Sequence, residues 1–443
     1  MSWKARLSSD SDVKNYRPIY VVWEVTLACN LKCMHCGSRA GQKRGNELTI
    51  NECVTVIEQL RQLGTREITL IGGEAYMRSD WLTLISEISD RGIMCGMQTG
   101  ARALTEEKIA AAASVGLTSA GVSIDGLADV HDQLRGVPGS FDQALKVLQL
   151  FRKHGLSGTV NTQINTRNLP QLRDLFDTIV EAGATAWQVQ LTVPMGNAAD
   201  NPDLLLQPYQ VLDLMPLLAE LYIVGRLKNC RIVPGNNIGY FGPYEAMWRG
   251  VTGRREYYSG CKAGRTVLGI ESDGSIKGCP SLPTEAYVGG NVRDQSIADI
   301  LSHQPELGFT RDHERNQQRL WGYCKSCYYS DICQSGCTWT THVLSGRPGN
   351  NPYCHYRALQ LKQNNLREVV VIREKATGRP FDHGRFEVRV EGGHGVSYTQ
   401  EDFSKPELAH VFQQKQSTAR TLTECPRCTE YVREGSHSCH RCD

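Results

Sequence analysis

Between residues 16 and 225 the sequence repeats one pattern six times: a short run rich in Val, Ile and Thr, followed by a stretch with helical periodicity. Several of the short runs are apolar on both faces, which is typical of strands in a parallel sheet covered by helices. A closed barrel needs eight strand–helix units, so six units predict an α/β fold with a partial (β/α)6 TIM barrel and chemistry at the carboxyl ends of its strands. The predicted strands are 19–27, 66–73, 93–100, 118–126, 158–165 and 186–193.

Capping residues predict where the intervening helices begin and end. The residues predicted at helix starts are Thr49, Ser79, Thr105, Ser140 and, within a first turn, Pro170. Glycines in the left-handed backbone conformation are expected directly after five helices, namely Gly64, Gly92, Gly116, Gly155 and Gly183.

The charge and hydropathy of the chain exclude several classes of protein. Its 49 Lys and Arg residues nearly balance 47 Asp and Glu residues, which argues against binding driven by nucleic-acid phosphates or by an acidic membrane surface. No apolar run approaches the ~20 residues that cross a bilayer, and the amino-terminal residues lack the apolar stretch of a secretory signal. We therefore expect a cytoplasmic protein with no nucleic acid and no membrane among its partners.

The chain has 17 cysteines, an odd number. In a long chain without an export signal, clustered cysteines indicate metal or redox chemistry rather than a disulfide framework. Three of them, Cys53, Cys95 and Cys230, lie outside the clusters. Burial as small apolar side chains is predicted for Cys53 and Cys95.

Changes in composition divide the chain into five segments. Residues 1–15 form a lead-in and 16–230 the partial barrel, while 231–365 are rich in glycine, aromatic residues and cysteine. Residues 366–418 contain the strand-like runs EVVVIRE and GRFEVRVEG, which predict a hairpin, and then a linker. Residues 419–443 form a cysteine-rich tail. The thin aliphatic core of 231–365 predicts that cysteine ligation helps to hold that segment together.

The first cysteine cluster, called the cysteine triad here, consists of Cys29, Cys33 and Cys36 and directly follows the first predicted strand. A [4Fe–4S] cluster has four irons that each ordinarily take one thiolate, so three cysteines leave one iron open for catalysis. The spacing alone also fits part of a four-cysteine electron carrier, or a zinc site completed by a distant residue.

The position of the cysteine triad, with Gly72, Gly73 and Glu74 ending the second strand, resembles the radical S-adenosylmethionine (SAM) enzymes. The resemblance implies that the open iron binds the amino and carboxylate groups of SAM, and that the cofactor supplies the radical chemistry. It assigns the Gly-Gly-Glu motif to the methionine amino group. It also implies looser contacts of Ser123 and Asp125 with the ribose or carboxylate, of Arg135 with the carboxylate, and of Gln190 and Leu191 with the adenine.

The second cysteine cluster resembles the seven-cysteine SPASM domain, which follows the barrel in many radical SAM enzymes that modify peptides. Two auxiliary [4Fe–4S] clusters are implied, which makes three with the cluster of the triad. The stretch GIESDGSIKGCPS resembles the hairpin between the first two SPASM cysteines. By the interleaved pattern of that family, the first auxiliary set is Cys261, Cys279 and Cys337, and the second auxiliary set is Cys324, Cys327, Cys333 and Cys354.

The SPASM-like region is one ligand short, because two clusters need four ligands each and seven cysteines are present. The fourth position of the first auxiliary cluster can be filled by Cys230, Tyr257 or Glu256, or can stay open to water or substrate. An open or non-cysteine position is favoured, because the stretch TGRREYYSG before Cys261 contains no cysteine.

The tail pairs two Cys-x2-Cys motifs in the manner of a small zinc ribbon, through Cys425, Cys428, Cys439 and Cys442. One Zn²⁺ is predicted, since structural zinc organises such a fragment without redox chemistry. Docking of a peptide or partner and simple capping are both open roles for this ribbon.

Several stretches, including GNNIGYFGPYE, CTWTTH and RPGNNPYCHYRAL, resemble the radical SAM peptide spliceases. The resemblance implies excision of a tyramine unit from a Tyr-Gly site of a ribosomal precursor peptide, which leaves an α-keto-β-amino residue. The alternatives are a SPASM peptide maturase that forms thioether or carbon crosslinks or oxidises a side chain, and a non-enzymatic electron carrier. The implied partners are the precursor peptide, a low-potential electron donor of the flavodoxin or ferredoxin type and, where one exists, a separate small peptide-docking protein.

Overall fold

The computed structural model describes residues 5–249, 257–392, 397–400, 422–424 and 431–433. Its centre is a ten-stranded sheet in which the six predicted strands lie side by side in sequence order and all run parallel. Among the described residues, no pairing closes the sheet between its two end strands, so the predicted α/β fold with a partial barrel is confirmed. The six strands are β1 (Tyr20–Glu24), β2 (Glu67–Ile71), β3 (Met94–Thr99), β4 (Leu117–Ser123), β5 (Ser157–Ile164) and β6 (Ala186–Leu191).

Four further strands extend the sheet at its two ends. β7 (Arg231–Pro234) runs parallel to β6, and β8 (Val267–Ile270) runs parallel to β1. β9 (Ser275–Lys277) and β10 (Val288–Asn291) continue outward from β8 as antiparallel neighbours. The hairpin predicted in GIESDGSIKGCPS is therefore present as β8 and β9, and one sheet joins the barrel to the cysteine-rich region.

Helices connect the strands and cover the sheet. Those described up to residue 249 are α1 (Asp10–Lys14), α2 (Ile50–Gln62), α3 (Trp81–Asp90), α4 (Glu106–Ser114), α5 (Ala128–Arg135), α6 (Ser140–Lys153), α7 (Leu172–Glu181), α8 (Asn197–Asp200), α9 (Val211–Leu227) and α10 (Glu245–Arg249). Those described after residue 257 are α11 (Thr284–Tyr287), α12 (Ile297–His303), α13 (Pro305–Gly308), α14 (His313–Gln318), α15 (Gly322–Ser326), α16 (Ser330–Cys333), α17 (Thr338–Ser345) and α18 (His355–Gln363).

Most of the predicted helix boundaries are confirmed. Thr49 and Thr105 are N-caps, and each side chain accepts the backbone N–H three residues later. Pro170 lies in a 3-10 turn directly before α7. The five glycines predicted after helices all have positive φ, between 72° and 105°. Because only glycine adopts this conformation readily, it ends the helices where the sequence predicts.

Ser79 and Ser140 do not cap their helices, and these two predictions are wrong. α3 begins after a residue whose side chain makes no capping bond. α6 begins at Ser140 itself, and the carboxylate of Asp132, on α5, accepts the backbone N–H groups of Gly139 at 2.5 Å and Phe141 at 2.8 Å. A carboxylate from the preceding helix thus satisfies the donors that a local serine would have taken.

The hairpin predicted after residue 366 is confirmed, since β11 (Leu366–Glu374) and β12 (Arg385–Gly392) are antiparallel neighbours. β13 (Ser397–Thr399) pairs with the outer side of β12. A fully buried ion pair between Arg357 of α18 and Glu368 of β11 fastens this small sheet to the cysteine-rich region. Burying both charges is tolerated because each is paired.

In the tail, the structure describes two short antiparallel strands, β14 (Leu422–Glu424) and β15 (Tyr431–Arg433). The four predicted zinc ligands, Cys425, Cys428, Cys439 and Cys442, lie outside the described residues. Elsewhere, Cys53 and Cys95 are buried in the main core, which confirms that prediction. Searched over the described part of the chain, no helix has the length and apolar character that a bilayer crossing requires.

Candidate active site

The cysteine triad lies on the loop that leaves the carboxyl end of β1. Backbone hydrogen bonds close this loop on itself, since Cys29 donates to Gly41 O at 3.0 Å and Gly41 donates to Leu27 O at 2.9 Å. The side chain of Asn197, on α8, donates to Cys33 O at 2.9 Å and so connects the loop to the segment after β6. The triad is therefore held at the edge of the sheet where a parallel α/β fold places its chemistry.

Each sulfur of the triad accepts a hydrogen bond from a nearby N–H group. Burial raises the pKa of the Cys29 thiol to about 12 and that of the Cys33 thiol to about 11, so a metal must replace the protons before these sulfurs serve as thiolates. Donors to sulfur stabilise a bound cluster and tune its potential, so the triad fits the implied cluster. The donors are Leu31 N to Cys29 Sγ at 3.4 Å, Arg135 Nη1 to Cys33 Sγ at 3.6 Å, and Ala40 N to Cys36 Sγ at 3.4 Å.

Arg135, predicted to meet the carboxylate of SAM, is paired with Asp125 in this structure. Its guanidinium donates to Asp125 Oδ2, and His35 Nε2 lies 3.0 Å from the same oxygen. Burial alone raises the pKa of Asp125, but Arg135 and His35 outweigh it and hold this pKa well below its usual range. Asp125 is thus a buried anion that anchors the arginine in contact with Cys33. Direct contact of Asp125 or Arg135 with SAM stays a prediction.

The glycines of the Gly-Gly-Glu motif let the end of β2 approach the cysteine loop closely. A Cβ on Gly72, whose φ is 152°, would lie 2.1 Å from Thr26 O. A Cβ on Gly73 would lie 2.1 Å from Ala28 O and 2.6 Å from the Cβ of Cys29. A side chain at either position would therefore displace the strand end that carries the triad. The contact of this motif with the methionine amino group stays a prediction.

Glu74, the third residue of the motif, is buried and braces two strand ends. Its carboxylate accepts the Thr99 hydroxyl and the Gly100 N–H, each at 2.5 Å. Burial raises the pKa of Glu74 to about 7, although these two hydrogen bonds act in the opposite direction. The motif glutamate thus ties the end of β2 to the end of β3.

Replacing Glu74 by alanine is expected to lower the free energy of unfolding of the apo protein by about 2–5 kcal/mol, because two buried donors lose their acceptor. Glu74→Gln should retain most of the stability, since its amide oxygen can accept the Gly100 N–H while the Thr99 hydroxyl accepts from the amide nitrogen. Thermal unfolding followed by circular dichroism measures both changes. Glu58→Ala, which removes an exposed surface ion pair, is the control. If Glu74→Ala unfolded at a temperature no lower than Glu58→Ala, Glu74 would not be stabilising the ends of the two strands.

The remaining predicted cofactor contacts lie at strand ends. Ser123 ends β4, while Gln190 and Leu191 end β6, and Ser123 and Gln190 are partly exposed. The backbone N–H and C=O of Leu191 are both paired with the side chain of Asn237, at 3.2 and 2.9 Å. Asn237 carries no signal of this role in the sequence, because an asparagine in a Gly-Asn-Asn run is typical of a turn. Its position after β7 makes it a buried support for the end of β6.

The four cysteines of the second auxiliary set line one cavity. Cys324 Sγ accepts the backbone N–H of Asn351 at 3.4 Å, and the Arg357 guanidinium lies 4.0 Å from the same sulfur. Burial raises the pKa of the Cys333 thiol well above its usual value, and the other three thiols of the set add to the rise. The structure therefore gathers these four side chains around one space. Its aromatic walls include Tyr240, Phe241, Tyr323, Tyr329 and Tyr356.

The three cysteines of the first auxiliary set lie around Trp339. Cys261 and Cys279 pack against one buried cluster, Cys337 belongs to a second, and Trp339 packs against both. Burial raises the pKa of the Cys337 thiol to about 12, and the thiols of Cys261 and Cys279 contribute to the rise. Cys230, a candidate for the fourth position, lies in the main core, where burial raises the pKa of its thiol to about 11. Tyr257 is buried, and Glu256 lies outside the described residues. Among the described residues, no three His, Cys, Asp or Glu side chains converge as a site for a single metal ion.

Two family models match the chain at these sites. The model of the radical SAM superfamily matches residues 23–179, and the SPASM model of an iron–sulfur cluster-binding domain matches residues 261–328. The chain contains a radical SAM domain followed by a SPASM domain. The first match includes the cysteine triad and the Gly-Gly-Glu motif, and the second includes Cys261, Cys279, Cys324 and Cys327, so the resemblances to the radical SAM enzymes and to the SPASM domain are confirmed.

Similar radical SAM proteins match most of this chain. An AdoMet-dependent heme synthase of Methanosarcina barkeri is 28% identical over 351 residues, which cover 77% of this chain and 97% of the relative. Mycofactocin maturase MftC of Mycobacterium tuberculosis is 28% identical over 375 residues, covering 83% and 89%. The crystal structure of Streptococcus suis SuiB bound to precursor peptide SuiA superposes with a TM-score of 0.62 at 20% identity, covering 78% of each chain. The similarity to SuiB shows the fold alone.

Proposed function

We propose that this chain is a radical SAM enzyme that modifies a ribosomally synthesised precursor peptide. The observation that carries the radical chemistry is the cysteine triad at the end of β1, with a hydrogen-bond donor to each sulfur. A [4Fe–4S] cluster bound there, with SAM on its open iron, would supply a carbon radical that abstracts hydrogen from a substrate. The protein orients the reactants and excludes competing reactions.

The peptide substrate is supported by the similar proteins. SuiB has been crystallised with a precursor peptide, and MftC is a maturase by name. For the finer reaction we propose splicing, in which a tyramine unit leaves a Tyr-Gly site and an α-keto-β-amino residue remains. The support is the resemblance of GNNIGYFGPYE, CTWTTH and RPGNNPYCHYRAL to the spliceases. Crosslinking or oxidation of a side chain is the alternative within the same substrate class.

The cofactors of this proposal are SAM, three [4Fe–4S] clusters and one Zn²⁺. Its partners are the precursor peptide, a flavodoxin- or ferredoxin-type reductant and, where one exists, a small peptide-docking protein. The second auxiliary set supports one of these clusters, because its four cysteines line a single buried cavity. The electron donor delivers electrons at low potential, as reduction of such clusters requires.

A haem-forming reaction is the second candidate function. It is favoured by the 28% identity to an AdoMet-dependent heme synthase along 97% of that relative. The two functions differ in substrate rather than in the radical chemistry, so an experiment that offers both substrates separates them.

The deciding experiment is anaerobic reconstitution with iron and sulfide, followed by incubation with SAM, dithionite and either a ribosomal precursor peptide that contains a Tyr-Gly site or a haem precursor. Mass spectrometry of the peptide then identifies the reaction. Loss of a tyramine mass supports splicing, and loss of hydrogens alone supports crosslinking or oxidation. Conversion of the haem precursor with an unchanged peptide would overturn the peptide proposal in favour of the second candidate.

Zinc in the tail is expected to be independent of the iron sites. Metal analysis of the full chain should give about one zinc per chain, lost when Cys428 and Cys439 are both replaced by serine. The iron content should not change, because these cysteines belong to a separate segment. Cys53→Ser is the matched control, and zinc retained by the double variant would contradict the zinc ribbon.

A further inference from the structure

The hydroxyl of Tyr258 is buried and has no hydrogen-bond partner among the described residues. The whole residue is 5% exposed, so water does not readily replace the missing partner. A buried tyrosine hydroxyl normally finds a partner, and leaving it unpaired costs about 1–3 kcal/mol. Such an orphaned group commonly marks the place of an unobserved ion or water. Tyr258 lies three residues before Cys261, the first cysteine of the first auxiliary set.

The surroundings of Tyr258 bring its ring to the other end of the same cysteine set. Its ring packs edge-on against Tyr240, with centroids 4.8 Å apart. The Tyr240 hydroxyl accepts the backbone N–H of Cys337 at 3.0 Å. Tyr258 and Tyr240 belong to one buried cluster that also contains Cys337 of the first auxiliary set and Cys333 of the second. Tyr258 is therefore packed beside the first auxiliary set, at the side where the second set begins.

A charged pair fixes the backbone and the ring of Tyr258. Its backbone N–H donates to Glu245 Oε1 at 2.6 Å, and Arg249 donates to Glu245 Oε2 at 2.9 Å. The Arg249 guanidinium also lies over the Tyr258 ring, 5.1 Å from its centroid. A ring held by backbone, cation and aromatic contacts loses little further entropy on binding a ligand. These contacts fix the orientation of the ring, so the hydroxyl is already positioned to bind a ligand.

We propose that the Tyr258 oxygen is the fourth ligand of the iron–sulfur cluster held by Cys261, Cys279 and Cys337. This supplies the ligand that the seven cysteines lack, and it places the missing group three residues before the first of them. Tyrosine oxygen is an established ligand of protein-bound iron in haem sites. On coordination an oxygen–iron bond replaces the O–H bond and the proton passes to the buffer. The oxidation states of tyrosine and iron do not change.

In the described part of the chain, the other candidates for the fourth ligand of the first auxiliary cluster fit this position less well. Cys230 lies in the main hydrophobic core, directly before β7. Tyr257 is buried as well, but its hydroxyl is not among the buried, unpartnered side-chain atoms of the described residues. Glu256 falls outside the described residues, so the experiment below tests whether it is the ligand.

The test uses full-length protein in which every tyrosine carries ¹³C at the ring carbon bonded to oxygen. The three triad cysteines are replaced by alanine to remove the signal of the first cluster, and the auxiliary clusters are reduced with dithionite. Pulsed electron paramagnetic resonance then detects the through-bond ¹³C coupling that a ligating tyrosine gives to a reduced cluster, which exceeds the through-space coupling of the tyrosines that only line the second auxiliary set. We expect a ¹³C coupling in this parent, its loss in Tyr258→Phe, and its retention in the matched control Tyr257→Phe.

Three outcomes would overturn the proposal: no ¹³C coupling in the parent, a coupling that persists in Tyr258→Phe, or a cluster spectrum altered by Glu256→Gln and unaltered by Tyr258→Phe. Should Tyr258→Phe fail to fold, the labelled parent still decides, because a non-tyrosine ligand gives no such coupling. The proposal rests on the auxiliary cluster itself, and iron analysis separates the two failures. Absence of iron overturns both statements, whereas full iron content without coupling overturns Tyr258 alone.

Discussion

Replacing Cys33 by alanine is expected to abolish the formation of 5′-deoxyadenosine from SAM. Two cysteines cannot hold a [4Fe–4S] cluster with only one iron left open, and the donor bond from Arg135 to Cys33 Sγ loses its acceptor. Replacing a residue that only hydrogen-bonds to a metal ligand typically lowers metal affinity or activity ~10–100-fold. Removing a ligand itself should therefore lower the yield of 5′-deoxyadenosine by more than that. Chromatography of the products after anaerobic reconstitution measures the yield.

Cys53→Ala is the matched control for Cys33→Ala. Cys53 is a buried cysteine of α2 in the main core, and it takes no part in the cysteine triad. This variant should keep its iron content and produce 5′-deoxyadenosine at close to the parent rate. If Cys33→Ala produced as much 5′-deoxyadenosine as Cys53→Ala, the cysteine triad would not be the site of SAM cleavage.

Arg135→Gln is expected to lower the free energy of unfolding of the apo protein by about 3–5 kcal/mol, the range found when one partner of a buried ion pair is removed. Asp125 is fully buried, and without the guanidinium the described residues that still contact its carboxylate include His35 and the backbone N–H of Gln163. The double variant Arg135→Gln/Asp125→Asn should recover part of the loss, because the buried charge is then gone as well. Chemical denaturation of the apo variants measures the difference.

The effect of Arg135→Gln should depend on pH. Arg135 and His35 hold the pKa of Asp125 below its value in the unfolded chain. The ionised Asp125 therefore contributes its full stabilisation of the folded state above about pH 4, and this contribution is lost as the pH falls towards the folded pKa. The destabilisation should therefore be largest near neutral pH and shrink below about pH 4. Arg173→Gln, at an exposed pair with Glu220, is the control and should cost at most ~1 kcal/mol. If Arg135→Gln lowered the free energy of unfolding by no more than Arg173→Gln does, Asp125 would not be anchoring Arg135.

Local patterns predicted the elements of the barrel, because each strand and helix is set by residues close together in the sequence. The capping residue Thr49 and the glycines after the helices depend on hydrogen bonds and backbone angles within one turn. Ser140 was mispredicted because its competitor, Asp132, acts from another helix. The short strand β7 escaped prediction because its pairing with β6, rather than its own four residues, makes it a strand.

At the candidate site, the resemblance to the SPASM domain implied which cysteines come together but not what surrounds them. The four cysteines of the second auxiliary set line one cavity although 30 residues separate the first from the last. The pairing of Arg135 with Asp125, and the burial of Glu74 against Thr99, depend on how strand ends meet in space. A sequence motif gives the identity of such residues, and only packing decides whether they face a ligand or each other.

The continuation of the sheet from β1 into β8 has a consequence for how this protein can be divided. A fragment that stops before β8 would leave one side of β1 without its neighbour, and unpaired strand edges recruit other chains. The strand that carries the cysteine triad would then become the starting point for self-association. Separating the two halves, by genetic truncation or by proteolysis between them, should therefore yield insoluble material rather than two working modules.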